Sequence, residues 1–241
     1  MNNRIINLVN RPKVFSFAAV AGKKEAEGPL FNLFDTVYED SKMGQDAWEK
    51  AESLLQKNAM KTALKKGNLR QEDVDIVFAG DLLNQCTGSS FGIKDFGIPF
   101  AGVYGACSTM ALSLCLAAMS VNAGYCNTAA AVTSSHFCSA EKQFRKPLEY
   151  GGQRPPAAQW TVTGAGCVVV SKTAHKSAPV IEKIAIGKIC DLGITDANNM
   201  GAAMAPVDAK LTPYPTRYAL NLYTQIYKKG DCIKDTKEAL I

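Results

Sequence analysis

Phe100–Ala118 reads FAGVYGACSTMALSLCLAA, and the order of textures in that stretch decides the fold class. Phe100 to Tyr104 is apolar and too short for a helix, so it reads as a buried strand. Gly105 and Ala106 permit a tight turn, Cys107 sits on that turn, and Ser108 and Thr109 open a helix. From Met110 to Val121 the helix has almost no hydrophilic side, which predicts burial all round. Gly124 is its natural stop. The thiol's place is notable because the thiolate is the reactive form of cysteine and the free N–H groups of a helix start favour an anion.

Working outward, other short apolar runs flank this unit. Val14 to Ala21 is a first strand, Ile76 to Ala79 a second, and Thr128 to Thr133 another; Gly164 to Ser171 and Val180 to Ile189 follow. Charges at Glu182, Lys183 and Lys188 mark the last as an edge strand. Between the first two, Trp48, Ala51, Leu55, Ala59 and Ala63 recur at helical spacing. Glu49, Glu52, Lys57 and Lys61 occupy the other side, and Gly67 ends the helix. Strands alternating with helices predict an α/β domain with a mainly parallel sheet. From Val207 the texture changes. Pro213 and Pro215 break the chain, while Tyr218, Leu222 and Ile226 could line a short helix, so residues 1–206 form the domain and 207–241 a divergent tail.

Bulk composition excludes several classes. With 241 residues, 47% hydrophobic and 20% charged, the chain can build a substantial core. The formal charge of +5 is scattered without interleaved aromatics, which argues against nucleic acid as a partner. An anionic small ligand or an acidic membrane surface suits it equally. The eight cysteines fall largely inside apolar patterns, as reduced thiols do, and neither they nor the two histidines show zinc spacing. No metal or cofactor is expected. Val14 to Ala21 imitates a signal segment but alternates as a strand does, and no run reaches the ~20 apolar residues of a membrane span.

Four places could carry chemistry. Cys107 is either a small buried thiol or an activated one. His136 ends a strand, after Ser134 and Ser135, at the carboxyl edge where open α/β sheets gather ligands. The loop from Ser139 to Pro155 mixes Lys142, Arg145, Tyr150 and Arg154 with a Gly-Gly pair and is either an anion clamp or a solvated connector. Asp81, Asn84 and Gln85 line the same rim or cap the next helix. HExxH, P-loop and GxGxxG signatures are missing.

The strand, the GACST turn, the apolar helix and the SSH strand end together resemble the thiolase and ketoacyl synthase superfamily. More closely, residues 13 to 206 resemble the stage V sporulation protein AD family of spore-forming bacteria. That resemblance rests on GPLFNLFDTVYED at Gly28, FAGDLLNQ at Phe78, VYGACST at Val103, TSSHFCSAEKQFRKPLEYGGQRP at Thr133, TVTGAGCVVVS at Thr161 and DLGITDANNMGAAMAP at Asp191. It implies the N-terminal βαβαβαβ half of a five-layer αβαβα fold, usually dimeric, with the apolar helix between two sheets. It further implies binding of dipicolinic acid and support of its uptake into the developing spore, alongside membrane proteins of the stage V sporulation A system. The location it implies is cytoplasmic or peripheral on the spore inner membrane.

A rigid planar dianion requires a helix start or cationic forks for its carboxylates and flat apolar walls for its ring. Cys107, Ser108, Thr109, His136 and Arg145 are the expected ligand-binding residues. The alternative is an acyltransferase of the ketoacyl synthase type with Cys107 as the nucleophile. In that superfamily the second half supplies the groups that activate the nucleophile, and this chain has no sequence like it. A truncated or frameshifted reading frame is therefore the first explanation of the gap and a free-standing half domain the second; an inactive truncated fragment stands beside the acyltransferase as an alternative to ligand binding. Half a fold leaves an apolar face larger than a soluble monomer tolerates, so the chain is expected to be unstable or to form a homodimer.

Overall fold

The computed structural model describes residues 5–144, 161–186, 193 and 224–227. Their strands are β1 (Ile5–Asn7), β2 (Lys13–Gly22), β3 (Thr36–Tyr38), β4 (Ile76–Gly80), β5 (Phe100–Gly102), β6 (Thr128–Ser135), β7 (Gly164–Ser171), β8 (Val180–Ala185) and β9 (Thr224–Tyr227). All belong to one sheet in the order β1-β8-β2-β7-β6-β4-β5, with β3 beside β2 and β9 beside β8. Four α-helices accompany them: α1 (Trp48–Gly67), α2 (Thr87–Ile93), α3 (Thr109–Ala123) and α4 (Phe137–Phe144).

The α/β class holds, but the sheet is mixed rather than mainly parallel. β4 pairs in parallel with β5 and β6, and β3 with β2. β7 runs antiparallel to both its neighbours, β2 and β6, and β8 runs antiparallel to β1, β2 and β9. The physical reason is that β7 is covered on both faces. A doubly buried strand reads as a continuous apolar run whichever way it points, so GAGCVVVS carries no sign of direction.

Side chains alternate cleanly between two cores. Val77, Ala79, Ala130, Val132, Cys167 and Val169 turn toward Leu55, Ala59, Met60 and Ala63 of α1. Phe78, Ala129, Ala131 and Val170 turn toward Leu114, Cys115, Ala117, Ala118 and Val121 of α3. The described elements thus stack as helix, sheet and helix, three of the five layers that the resemblance implies. α3 is not buried all round. Its inner side packs on the sheet, while Met110, Ala111, Leu112, Leu116 and Met119 are only half-buried. Among the described residues, Ala106–Ala123 is the one helical stretch long and apolar enough to cross a membrane, by length and composition.

Three local expectations are corrected. β8 is not an edge: β1 and β9 flank it, and its exposed charges are accommodated because Glu182 forms an ion pair with Arg11. Ile226 lies in β9 rather than on a helix, since antiparallel pairing with Ile181 supplies backbone partners that a short isolated helix lacks. The left-handed residue that ends α1 is Asn68, at φ 50°, not Gly67. Gly67 meets another demand, because a Cβ there would lie 2.9 Å from Ser16 Oγ on β2. Leu55 is fully buried between α1 and the sheet, and Leu55→Ala is expected to cost about 2–5 kcal/mol. Urea unfolding measures this, with a lower midpoint as the readout.

Candidate functional site

Because β4, β5 and β6 are parallel, their carboxyl ends lie at one edge, with Ala79 beside Gly102 and Gly80 beside Thr133. The chain leaves β5 there and turns into α3. A 3-10 turn, Ala106–Ser108, precedes the helix, and Ala106 holds a positive φ of 48°. An alanine in that region costs about 1–2 kcal/mol. The surroundings hold it there: Ser108 N–H and Oγ–H donate to Gly105 O (2.9 and 2.7 Å), and Thr109 Oγ–H donates to Ala106 O (2.7 Å) while accepting from Gly105 N–H (3.1 Å). Below the turn, a Cβ on Gly80 would lie 2.1 Å from Val103 O and 2.4 Å from Thr109 Cγ2. No side chain fits between β4 and the turn.

The expected site residues have unequal fates. Cys107 is exposed at the tip. Ser108 and Thr109 adjoin it, but their hydroxyls are spent on closing the turn, and Thr109 is buried. His136 is at the same sheet edge, yet its ring turns into the α1 layer, 5.4 Å from the Trp48 ring. Its Nδ1 accepts from Cys138 N–H (3.2 Å), so the proton lies on Nε2, which donates to Ser41 O (2.7 Å). Burial pushes its pKa down, in keeping with a neutral ring. Arg145 lies outside the described residues. The other histidine, His175, follows β7 at the opposite sheet edge, with Nδ1 2.7 Å from Ser177 Oγ.

Tyr104 and Cys86, unread from sequence, stand at the same edge, with the Asp81 and Gln85 that the sequence did single out. Tyr104 is 51% exposed; partial burial pushes its phenol pKa up, and Cys107, Asp81 and Cys86 add to that direction. Cys86, at φ 53°, follows Gln85 at φ 59° and donates its Sγ–H to Val103 O (3.5 Å). Consecutive left-handed non-glycine residues are rare, and such strain concentrates at ligand sites. Deeper still is a buried polar cluster, in which Gln56 Oε1 has no hydrogen-bond partner among the described residues. Asp81 accepts from Leu83 N–H (2.8 Å), Ser89 N–H (2.6 Å) and Ser89 Oγ–H (2.5 Å). Gln56 Nε2 reaches Gly80 O, Ser89 Oγ and Ser134 Oγ at 2.9–3.0 Å. Ser134 and Ser139 donate to Glu52 at 3.0 and 2.6 Å.

Glu52 was expected on the solvent side of α1 and is fully buried. A signal was available. Positions 52, 56, 60 and 64 form one ridge at steps of four, and its last two members, Met60 and Leu64, are apolar and buried, with Gln56 buried between them and Glu52. Among the described residues, no group of three histidine, cysteine or acidic side chains could hold a metal ion.

The layered α/β sheet, with a thiol on the turn from β5 into α3, has a thiolase-like fold. The chain superposes on crystal structures of two single-residue variants of Xanthomonas campestris OleA. One gives a TM-score of 0.54 at 13% identity, covering 86% of this chain and 74% of that one. The other gives 0.53 at 12% identity, covering 86% and 75%. Within that class the assignment is narrower. Residues 2–214 match the family model of stage V sporulation protein AD (SpoVAD). The chain is also 45% identical over 196 residues to stage V sporulation protein AD of Bacillus subtilis (strain 168), a match covering 81% of this chain. It belongs to the SpoVAD family. It spans 57% of the length of that curated relative.

The exposures of the thiols make a direct prediction. Cys107 is exposed, whereas Cys115, Cys126 and Cys167 are buried, and burial pushes the Cys167 thiol far up. Iodoacetamide on the native chain, followed by peptide mass mapping, is expected to modify Cys107 well before those three. Gly80→Ala is expected to push the turn from β4 and raise the reactivity of the buried thiols.

Proposed function

We propose that this sporulation protein contributes a dipicolinic acid site and supports uptake of that ligand into the developing spore, without acyl transfer. The observation that carries the reading is the Cys107 turn: Ala106 and Cys107 lie exposed just ahead of α3, beside the half-exposed ring of Tyr104, with the neighbouring hydroxyls and both His136 nitrogens already engaged. A helix start favours a carboxylate, and an aromatic face suits a flat ring. A nucleophilic thiol also needs a base within reach, and neither histidine is placed as one. Arg145 belongs to the same proposal as a cationic partner for the second carboxylate. So do the membrane proteins of the stage V sporulation A system, a cytoplasmic or membrane-peripheral location, and a homodimer that covers the half-buried side of α3.

Calorimetry with dipicolinate on this chain and on the B. subtilis relative tests the reading. Saturable binding to the relative, weakened at least tenfold by Tyr104→Ala in this chain or its counterpart there, is expected. No saturable binding to either protein overturns it. The acyltransferase reading is favoured by one observation, the exposed thiol on a strained turn. It predicts a Cys107 adduct in the intact mass after incubation with acyl donors at alkaline pH, where dipicolinate binding without turnover predicts none. Light scattering on eluted protein tests the dimer, and a monodisperse monomer with cooperative unfolding contradicts it.

A further inference from the structure

The Glu52 carboxyl lies where three elements meet and has no place in the ligand-binding proposal. Its contacts are two hydroxyls, Ser134 at the end of β6 and Ser139 in α4. Ser139 has a second acceptor within reach, His136 O at 3.1 Å, which also receives Ala140 N–H in the first turn of α4. The Ser139 hydroxyl has one proton for two acceptors. When Glu52 is ionised, that proton is drawn to Oε2. When Glu52 is protonated, its own O–H can donate to Ser139 Oγ, which then donates to His136 O.

The surroundings favour the second arrangement. On α1 itself stand Glu49 and the Gln56 amide; the end of β4 contributes Asp81, α2 Ser89, β6 Ser134, and the start of α4 Ser139 and His136. The charged groups that act on Glu52, Asp81 and Glu49, are both acidic. Burial is the largest influence and raises the Glu52 pKa to about 7, against an ordinary 4.5. His136 is the other titratable neighbour, and burial lowers its pKa.

We propose that Glu52 is a proton-operated latch: α4 is seated on α1 while Glu52 carries a proton, and loosens when the proton leaves. The sign follows from linkage. The closed state retains the proton up to about pH 7, whereas the opened state, with Glu52 in water, loses it near the ordinary value. Closure is therefore fully favoured below that value, weakens as the pH rises, and levels off above about 7. A fully coupled single proton changes the opening equilibrium by up to about tenfold per pH unit in that window.

Amide hydrogen exchange of the full chain between pH 5 and 8, corrected for intrinsic rates, tests this. Protection of the α4 amides is expected to fall with pH and then level off, while that of α3 stays constant. Glu52→Gln is expected to flatten the profile with α4 protected throughout. Protection that does not change with pH, or an unchanged slope in Glu52→Gln, overturns the proposal. If that variant does not fold, Ser139→Ala serves instead. Loss of a hydroxyl that stabilises the carboxylate moves the levelling-off to higher pH, and an unmoved profile counts against the latch. Infrared spectroscopy of the unmodified chain gives a second readout. A protonated-carboxyl band lost near pH 7 supports the latch; loss complete by about pH 5, as in model carboxylates, refutes it.

Discussion

The architecture depends on the near absence of bulk in β6. Ala129, Ala130, Ala131 and Val132 are all fully buried, two to each face, and small side chains there let α1 and α3 both approach closely. Interiors are packed like molecular crystals, so a strand with small side chains on both faces draws its covering helices inward. That approach brings Glu52 and Gln56 of α1 to the ends of β4 and β6, and places the start of α3 over Gly80. The thiol turn and the buried polar cluster are two outcomes of one close packing, joined at Gly80: its Cα abuts Val103 and Thr109, and its carbonyl accepts from Gln56.

Much of this was legible in advance, for particular reasons. Strand and helix spans along β2, β4, β6 and β7 follow from apolar run length, and α1 from its repeat of three and four. The Cys107 turn was readable because it needs small residues in a fixed order. Strand direction in β7 was not, since burial on both faces erases alternation. β1, β3 and β9 are three or four residues long, and their existence rests on partners distant in sequence: Ile5 pairs with Ala185, and Val20 with Thr36. Such short strands have no local signature strong enough to stand alone.

The site shows the same division at the level of single groups. Residue types at the carboxyl edge pointed to His136 as a ligand, but a histidine's role is set by what its two nitrogens meet, and here they meet Ser41 and Cys138. Glu52 reverses the lesson. As a charged residue on a helix it reads as solvated, yet it stands between two serines from elements more than 80 residues away, where a carboxyl is held near neutrality by desolvation. Tyr104 and Cys86 matter only because β4 and β5 are neighbours.

By itself the sequence determined the layered α/β class, the thiol on a tight turn before an apolar helix, and the family strings that make the chain a SpoVAD member. These are encoded in contiguous residues, where periodicity and small-residue turns act locally. The tertiary structure alone decided the mixed sheet, the orientation of His136 away from the thiol, and the burial of Glu52. Each of those depends on which segments pack together, and pKa, hydrogen-bond partners and exposure are properties of that packing rather than of residue type.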